Sequence, residues 1–480
     1  MRDRVYWTLY CSKIDKDYRR FCTSGGFQLA QTQTEESLQK KLKPRHITFM
    51  AMGGVIGTGI FKGSAGTIGL AGPGVIVTYI FAGLLLLVVM AAMAEMATVY
   101  KNRNMKDFVQ EAFGSRVSFI MGWMYCFLWL SVCVIEVIAA GSFLQYWFAD
   151  VPLWVLSLAC AAFIILVNLL SVGVFGEFEF WLAGIKIAMI IIFIVLGAGL
   201  IFGIIPSDNT PYLQNYTQAG GFFPNGWTSI FSALLVVMFS YGGSELIGLT
   251  LTETENAEKV MPKIVGNFMF RIILFFTLPI LIICGLIPWN EIGPESSPFV
   301  QVLASTGLPG AAHIMNFILV TAVLSAANSG IYGASRMMHS MAVGGEAPKA
   351  LAKTNRNGSP INTLLVCTVV LLGGSMLGLF AQDQLFKVLL AVPGFVVILV
   401  WICIAASQLK LRNKYPVQPT FKVWGFPYIT GVVVLILSVI AVMFVFDEGN
   451  RFSISICLAV LALLTIWSLI RFRKMNRKSA

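Results

Sequence analysis

Three observations predict an all-α polytopic membrane protein with twelve transmembrane helices. The 480-residue chain is 57% hydrophobic and only 12% charged, against about 25% charge in an ordinary soluble domain. Its apolar residues collect in twelve runs long enough to cross a bilayer core, which takes about 20 residues of helix. Its lysines and arginines fall almost entirely between alternate runs. Lipid offers the backbone no hydrogen-bond partner, so each run is expected to be helical.

Residues 1–45 are polar and basic ("KIDKDYRR", "KKLKPRH") and carry no cleavable signal-peptide pattern. They read as a disordered cytoplasmic tail or, in part, as an over-extended start. The twelve spans then run over 46–70, 74–99, 117–147, 152–172, 178–205, 226–251, 263–288, 312–343, 361–381, 384–409, 425–446 and 453–472. The third and the eighth are long enough to tilt. Of the 34 Lys and Arg, three lie within spans (Lys62, Lys186, Arg271) and two beside outer loops (Lys387, Arg451). The other 29 sit in the termini and in the loops near 101–116, 259–263, 336–356 and 410–422. Positive loops stay inside, so both termini are expected in the cytoplasm.

The net charge of +11 is this topology signal; with no basic–aromatic groove pattern, no nucleic-acid partner is expected. The nine cysteines lie mostly inside spans (Cys126, Cys133, Cys160, Cys284) and form no CxxC pair, so they read as small core residues. His46, His313 and His339 are far apart, and no zinc site is expected. Without HExxH, a credible GxSxG elbow or paired aspartates, the chain does not read as an enzyme.

"GGVIGTGIF" (Gly53–Phe61) places four glycines in seven positions at the centre of the first span, where each costs a helix about 1 kcal/mol relative to alanine. "FSYGGSELIG" (Phe239–Gly248) does the same in the sixth. Glycine permits unwinding and close approach of a ligand to the main chain. An unwound stretch frees N–H groups that suit an anion and C=O groups that suit a cation. Paired Gly-interrupted spans leading two five-span halves point to an inverted repeat with a midplane binding site. The halves are 46–205 and 226–409, followed by two further helices over 425–472 and a tail over 473–480. A zwitterion fits opposed half-helix ends: its carboxylate on the amides of Ile56, Gly57, Thr58 and Gly59, its ammonium on carbonyls of both spans, with Tyr241, Gly242, Gly243 and Ser244 at the second break.

With "GEFEFWLAGIK" (Gly176–Lys186), "YGGSELIG", "ETENAEKVMPK" (Glu253–Lys263), "ANSGIYGASRMM" (Ala327–Met338) and "GGEAPKAL" (Gly344–Leu351) added, the chain resembles bacterial amino-acid permeases. The likeness is to the amino-acid transporter branch of the amino acid–polyamine–organocation superfamily, from about Leu38 to the C-terminal tail. It implies the leucine-transporter-type fold, five helices plus five inverted plus two. It also implies secondary uptake across the bacterial cell membrane, driven by a proton gradient with no cofactor. The expected partners are a small-molecule amino acid and membrane lipid, with no obligate protein partner. Two stretches depart from the family pattern. Tyr100 and Arg103 replace a usual Pro and Gly after the second span; Thr252 and Ala257 replace a usual Gly and Pro after the sixth.

An ionisable residue deep in a span costs at least about 2.5–3.5 kcal/mol and needs a reason. Lys186, taken as eight residues and about 12 Å into the fifth span, can gain and lose a proton during a cycle. In some proton-coupled relatives a lysine on this helix stands in for a sodium ion between the first and eighth spans, and Lys186 matches that pattern, with Ser329 as neighbour. Glu245 is open to three readings: proton relay, ammonium ligand, or cap on freed amides. Glu136, mid-span in the third helix, is a candidate for pocket polarity or protonation. Glu177 and Glu179 read as first-turn charges that stabilise a helix dipole. Glu95 and Arg271 read as gate or interface charges. By resemblance the pocket lining is Ser131, Ile135, Ser244, Ala326, Ala391 and Val392. The expected function is import of a neutral, preferably aliphatic, α-amino acid by proton symport with alternating access. The alternatives are an exchanger, a cationic amino-acid or polyamine carrier using Glu136 or Glu245 for the second ammonium, and a non-transporting amino-acid sensor.

Overall fold

The computed structural model describes residues 49, 52–169, 172–205, 212–251, 257–293, 296–305, 310–355, 359–379 and 382–479, all helix and connecting turns with no strand among them. The tail over 1–45, Thr252 and the side chains of Ala257 and Lys387 lie outside this description. Among the described residues nine stretches are long and apolar enough to cross a membrane, and Met52–Phe61, Leu153–Leu169 and Ile361–Ser375 are three shorter apolar helices.

In chain order the helices are α1 (Thr58–Phe61), α2 (Gly63–Ala71), α3 (Val75–Val99), α4 (Met105–Phe113), α5 (Ser115–Leu144), α6 (Leu153–Leu169), α7 (Val172–Ile201) and α8 (Thr228–Tyr241). They continue as α9 (Leu246–Thr250), α10 (Ala257–Leu286), α11 (Pro298–Ser305), α12 (Ala311–Val343), α13 (Ile361–Ser375), α14 (Gln382–Leu411), α15 (Tyr428–Phe446) and α16 (Arg451–Ser479). Gly72-Pro73-Gly74 turns the chain between α2 and α3. Both expected interruptions appear, between Met52–Val55 and α1 and between α8 and α9.

Lipid is as apolar as leucine, so helices associate through close packing of small residues rather than through apolar burial itself. The largest interface, between α5 and α12, illustrates this. A Cβ on Gly330 would stand 2.6 Å from Cys133 Sγ, and one on Gly333 3.1 Å from Trp129 Nε1. The Cys133 thiol donates to the Ala327 carbonyl at 3.4 Å. Other extensive interfaces are α3 with α10, α2 with α8, α6 with α13, α7 with both α10 and α12, and α14 with both α3 and α5. The apolar exterior of α15 and α16, including Val432, Leu435, Val439, Leu463 and Ile466, is exposed as a lipid-facing surface requires.

Two features differ from expectation. α7 begins at Val172, so Lys186 lies about 21 Å along it and Glu179 stands in its interior, where a helix-dipole role does not apply. α4 is an unforeseen short helix, opened by a capping box in which the Asn104 side chain accepts from the amides of Lys106 and Asp107 and Asp107 accepts from the Asn104 amide. α11 is a second, packed on α12, α10 and, through Phe299, Phe193 of α7.

One end of the bundle is closed by long-range polar contacts. Lys106 Nζ pairs with Glu346 Oε2 at 2.9 Å, with both side chains buried. Asn104 Nδ2 donates to Ser340 Oγ at 2.9 Å. Arg471 of α16 donates to the carbonyls of Gly345 and Glu346. Glu95 is also buried: it accepts from Gln408 Nε2 at 3.0 Å and from the Val423 amide at 2.6 Å, and pairs with Arg412 at 3.3 Å. Arg271 is exposed on α10. Of the family departures, Arg103 pairs with Glu111 at 2.8 Å and lies over the Tyr100 ring, which meets Tyr415 edge-on at 5.9 Å.

Breaking a buried ion pair on one side leaves an uncompensated charge and costs about 3–5 kcal/mol. Thermal unfolding of the purified protein in detergent is therefore expected to show Lys106→Met strongly destabilised, and Lys106→Met/Glu346→Gln less so than the single variant.

Candidate binding site at two helix breaks

At the first break Ile56 and Gly57 leave the helix and α1 restarts at Thr58. Gly57 has an extended backbone (φ −144°, ψ −151°) that any residue adopts. Its missing Cβ has a different cause: that atom would stand 2.5 Å from Glu136 Oε1 and 3.0 Å from Ala326 Cβ. Glu136 is buried on α5, and its two oxygens accept from the Thr58 amide at 3.1 and 3.3 Å and from the Thr58 hydroxyl at 2.9 Å. An internal carboxylate thus takes the freed amide, where a helix start favours negative charge.

The carbonyl side of the same break is taken by an internal cation. Lys186, fully buried, donates to the carbonyls of Gly53 at 2.5 Å, Ile56 at 2.9 Å and Ala322 at 3.3 Å. An ammonium has three protons and no acceptor capacity, so the three carbonyls satisfy it completely. One ammonium therefore joins the broken helix to α12. The third partner is the Ala322 main chain, two turns before Ser329, rather than Ser329 itself.

At the second break Gly242 turns out of the helix (φ −57°, ψ 142°) and Gly243 takes φ +106°. A side chain at Gly243 would be strained, and its Cβ would meet the Gly54 carbonyl oxygen at 2.7 Å. The two broken helices thus touch backbone to backbone. Glu245 is buried; its oxygens accept from the Gly243 amide at 3.2 and 3.1 Å and from Trp401 Nε1 at 3.3 Å. Of the three readings of this residue, the cap on a freed amide is the one its geometry fits.

A small cavity lies where the breaks meet, lined by Gly57, Gly59, Glu136, Gly242 and Gly243 and by the apolar side chains Leu128, Trp129, Val132, Phe239 and Val397. Several expectations need correction. The amide of Ile56 donates to Met52 O at 3.1 Å, because the short helix before the break keeps its i to i−4 bond, so that amide is not open to a ligand. The Gly53 and Ile56 carbonyls serve Lys186 and not a ligand ammonium. Tyr241 points away from the cavity: its hydroxyl donates to the Tyr79 carbonyl at 3.0 Å and its ring stacks on Phe276 at 4.7 Å. Ser244 turns its hydroxyl back to the Tyr241 carbonyl at 3.0 Å. Ser131, Ile135, Ser244, Ala326, Ala391 and Val392 are absent from the lining. Trp129 is on it.

Glu179 was missed as a site residue. It is fully buried against the glycine face of the first break, where a Cβ on Gly53 would collide with its carboxylate. It accepts from the Ser325 hydroxyl and from Asn328 Nδ2 at 2.9 Å, and Asn328 Oδ1 accepts from Asn168 of α6 at 2.7 Å. The seven-residue spacing from Lys186, two turns on one helix face, is the signal that would have found it.

A helical chain with nine described stretches long and apolar enough to cross a membrane, and with two broken helices meeting at glycine, has the build of a multi-span membrane protein. The amino acid permease family model matches residues 46–479, and the chain belongs to that family. It is 41% identical to an uncharacterized amino acid permease of Bacillus subtilis (strain 168), covering 92% of this chain and 98% of the relative. It is 37% identical to the gamma-aminobutyric acid permease of the same organism, covering 93% and 97%. A putative histidine permease, also from B. subtilis, is 35% identical over 88% and 92%.

Gly57→Ala is expected to put a methyl group into the cavity wall against Glu136 and Ala326 and so to weaken amino-acid binding at least about tenfold, equivalent to about 1.4 kcal/mol. Gly66→Ala, whose Cβ would meet nothing within 4 Å, is the matched control and should bind as wild type. Equilibrium binding to both purified variants checks this.

Proposed function

We propose that this permease imports a neutral, preferably aliphatic, α-amino acid by proton symport with alternating access. The observation that carries the reading is the Lys186 ammonium spanning the first break and α12. When it is charged, it holds two elements together; when it gives up a proton, the neutral amine keeps two N–H groups for three carbonyls and loses its charge, and the link is weakened. Glu136 adds a second coupling. An ionised Glu136 competes with a substrate carboxylate for the Thr58 amide, and protonation of Glu136 lets the substrate take that place. The amides of Gly57 and Gly59 and the backbone at Gly242 and Gly243 complete the head-group site, and Leu128, Val132 and Val397 select an apolar side chain.

Twelve membrane helices in a 5+5 inverted repeat over 46–205 and 226–409, with two more over 425–472, are part of this proposal. It is supported by the pattern of interfaces. Exchanging each helix with the one five spans away turns α7–α12 into α14–α5, α7–α10 into α14–α3, and α5–α6 into α12–α13, all of which are packed pairs. It also exchanges α4 with α11. The positive loops support a cytoplasmic location for both termini and for the end closed by Lys106 and Glu346. A cationic substrate is a second reading, favoured by the Glu136 carboxylate on the cavity wall.

The test is uptake of radiolabelled alanine, valine, leucine, histidine, lysine and gamma-aminobutyrate into proteoliposomes, with and without an inward proton gradient. Gradient-driven accumulation of the aliphatic amino acids is expected, abolished in Lys186→Ala with binding retained. Flux only with trans substrate would mean exchange, and binding without flux would mean sensing.

A further inference from the structure

We propose that Glu179 is a positioning residue for proton coupling: it is the counter-charge of Lys186 and ties that lysine's charge to α12 through Ser325 and Asn328. The inference rests on Lys186 being the coupling residue and adds the group that sets its behaviour.

The two side chains come from one face of α7, seven residues apart, and converge on Gly53: Lys186 takes its carbonyl and the Glu179 carboxylate fills the space beside its Cα. Both also reach α12, on residues that follow one another along a single face. Lys186 meets the Ala322 carbonyl, and Glu179 meets Ser325 and Asn328 one and two turns further on. A buried carboxylate with two donors and a buried ammonium with three acceptors form a closed polar unit, in which loss of either charge leaves the other uncompensated in a low-dielectric interior. The charged groups that converge with Lys186 on the first break, among the described residues, are Glu179 on its own helix, beside Gly53, and Glu136 on α5. The facing α12 groups carry no charge. Glu136 is engaged with Thr58, so Glu179 is the group whose sole ionic role is toward Lys186.

Opposite charges that meet at one residue, at the effective dielectric of a protein interior, change a proton equilibrium by at least about one pH unit. Removing the negative charge weakens the hold on the lysine's proton, so the shift is toward acid. The experiment compares wild type, Glu179→Gln, Glu179→Asp and Lys186→Ala in proteoliposomes, measuring leucine binding and gradient-driven leucine uptake from pH 5 to 8. Expected for Glu179→Gln is leucine binding within about threefold of wild type with the uptake–pH profile displaced about one unit toward acid. Glu179→Asp, which keeps the charge, should retain the wild-type profile at a reduced rate. An unshifted profile in Glu179→Gln, or a shift in Glu179→Asp equal to that of Glu179→Gln, overturns the proposal. If Glu179→Gln does not fold, a shifted profile in Glu179→Asp overturns it alone. Accumulation that survives Lys186→Ala instead sinks the underlying symport reading, whatever Glu179 does.

Discussion

A helix cut in the middle of a bilayer exposes amides on one side of the cut and carbonyls on the other, and with no water nearby both need partners of opposite polarity. Here Glu136 faces the amide of Thr58 and Lys186 faces the carbonyls of Gly53 and Ile56. The protein's own carboxylate and ammonium thus hold the break open in the arrangement a zwitterionic ligand would require. The positions of α5, α7 and α12 follow from this, since each supplies or receives one of those bonds. So does the glycine content of the break: Gly53 and Gly57 leave room for carboxylates of neighbouring helices.

Much of this was legible in the sequence. Apolar runs gave the helices, because in lipid a run of that length has one structural solution, and the glycine clusters gave both breaks. Lys186 stood out because a lone lysine in such a run has to be explained. What stayed hidden was the partner of each charge. Glu179 looked like a first-turn residue because the apolar run starts at 178, one residue before it; the helix in fact begins at Val172, with Glu177 the only other charge between its start and Lys186. The orientation of Tyr241 was equally hidden, since a tyrosine beside a break reads the same whether it covers a cavity or packs on Phe276.

The positions that depart from the family pattern after the second span are absorbed rather than left idle. Tyr100 sits between Phe108 and Tyr415, with Arg103 over its ring. Where a proline and a glycine would shape a turn through the backbone, this chain shapes it through aromatic packing and an exposed ion pair. The capping box at Asn104 then starts α4 directly beyond it.

The polar contacts that close one end of the bundle also constrain how the protein is made. Glu95 finds the Val423 amide 328 residues later in the chain, Lys106 finds Glu346 after 240, and Arg471 reaches back 125 residues to Glu346. During synthesis the early helices must therefore wait, with charges that have no partner yet, until Glu346 and Val423 have been made. A half-made chain of this kind is a substrate for insertion chaperones and quality control. Its yield in a cell will depend on how long those charges can be sheltered at the translocon, as well as on the stability of the finished fold.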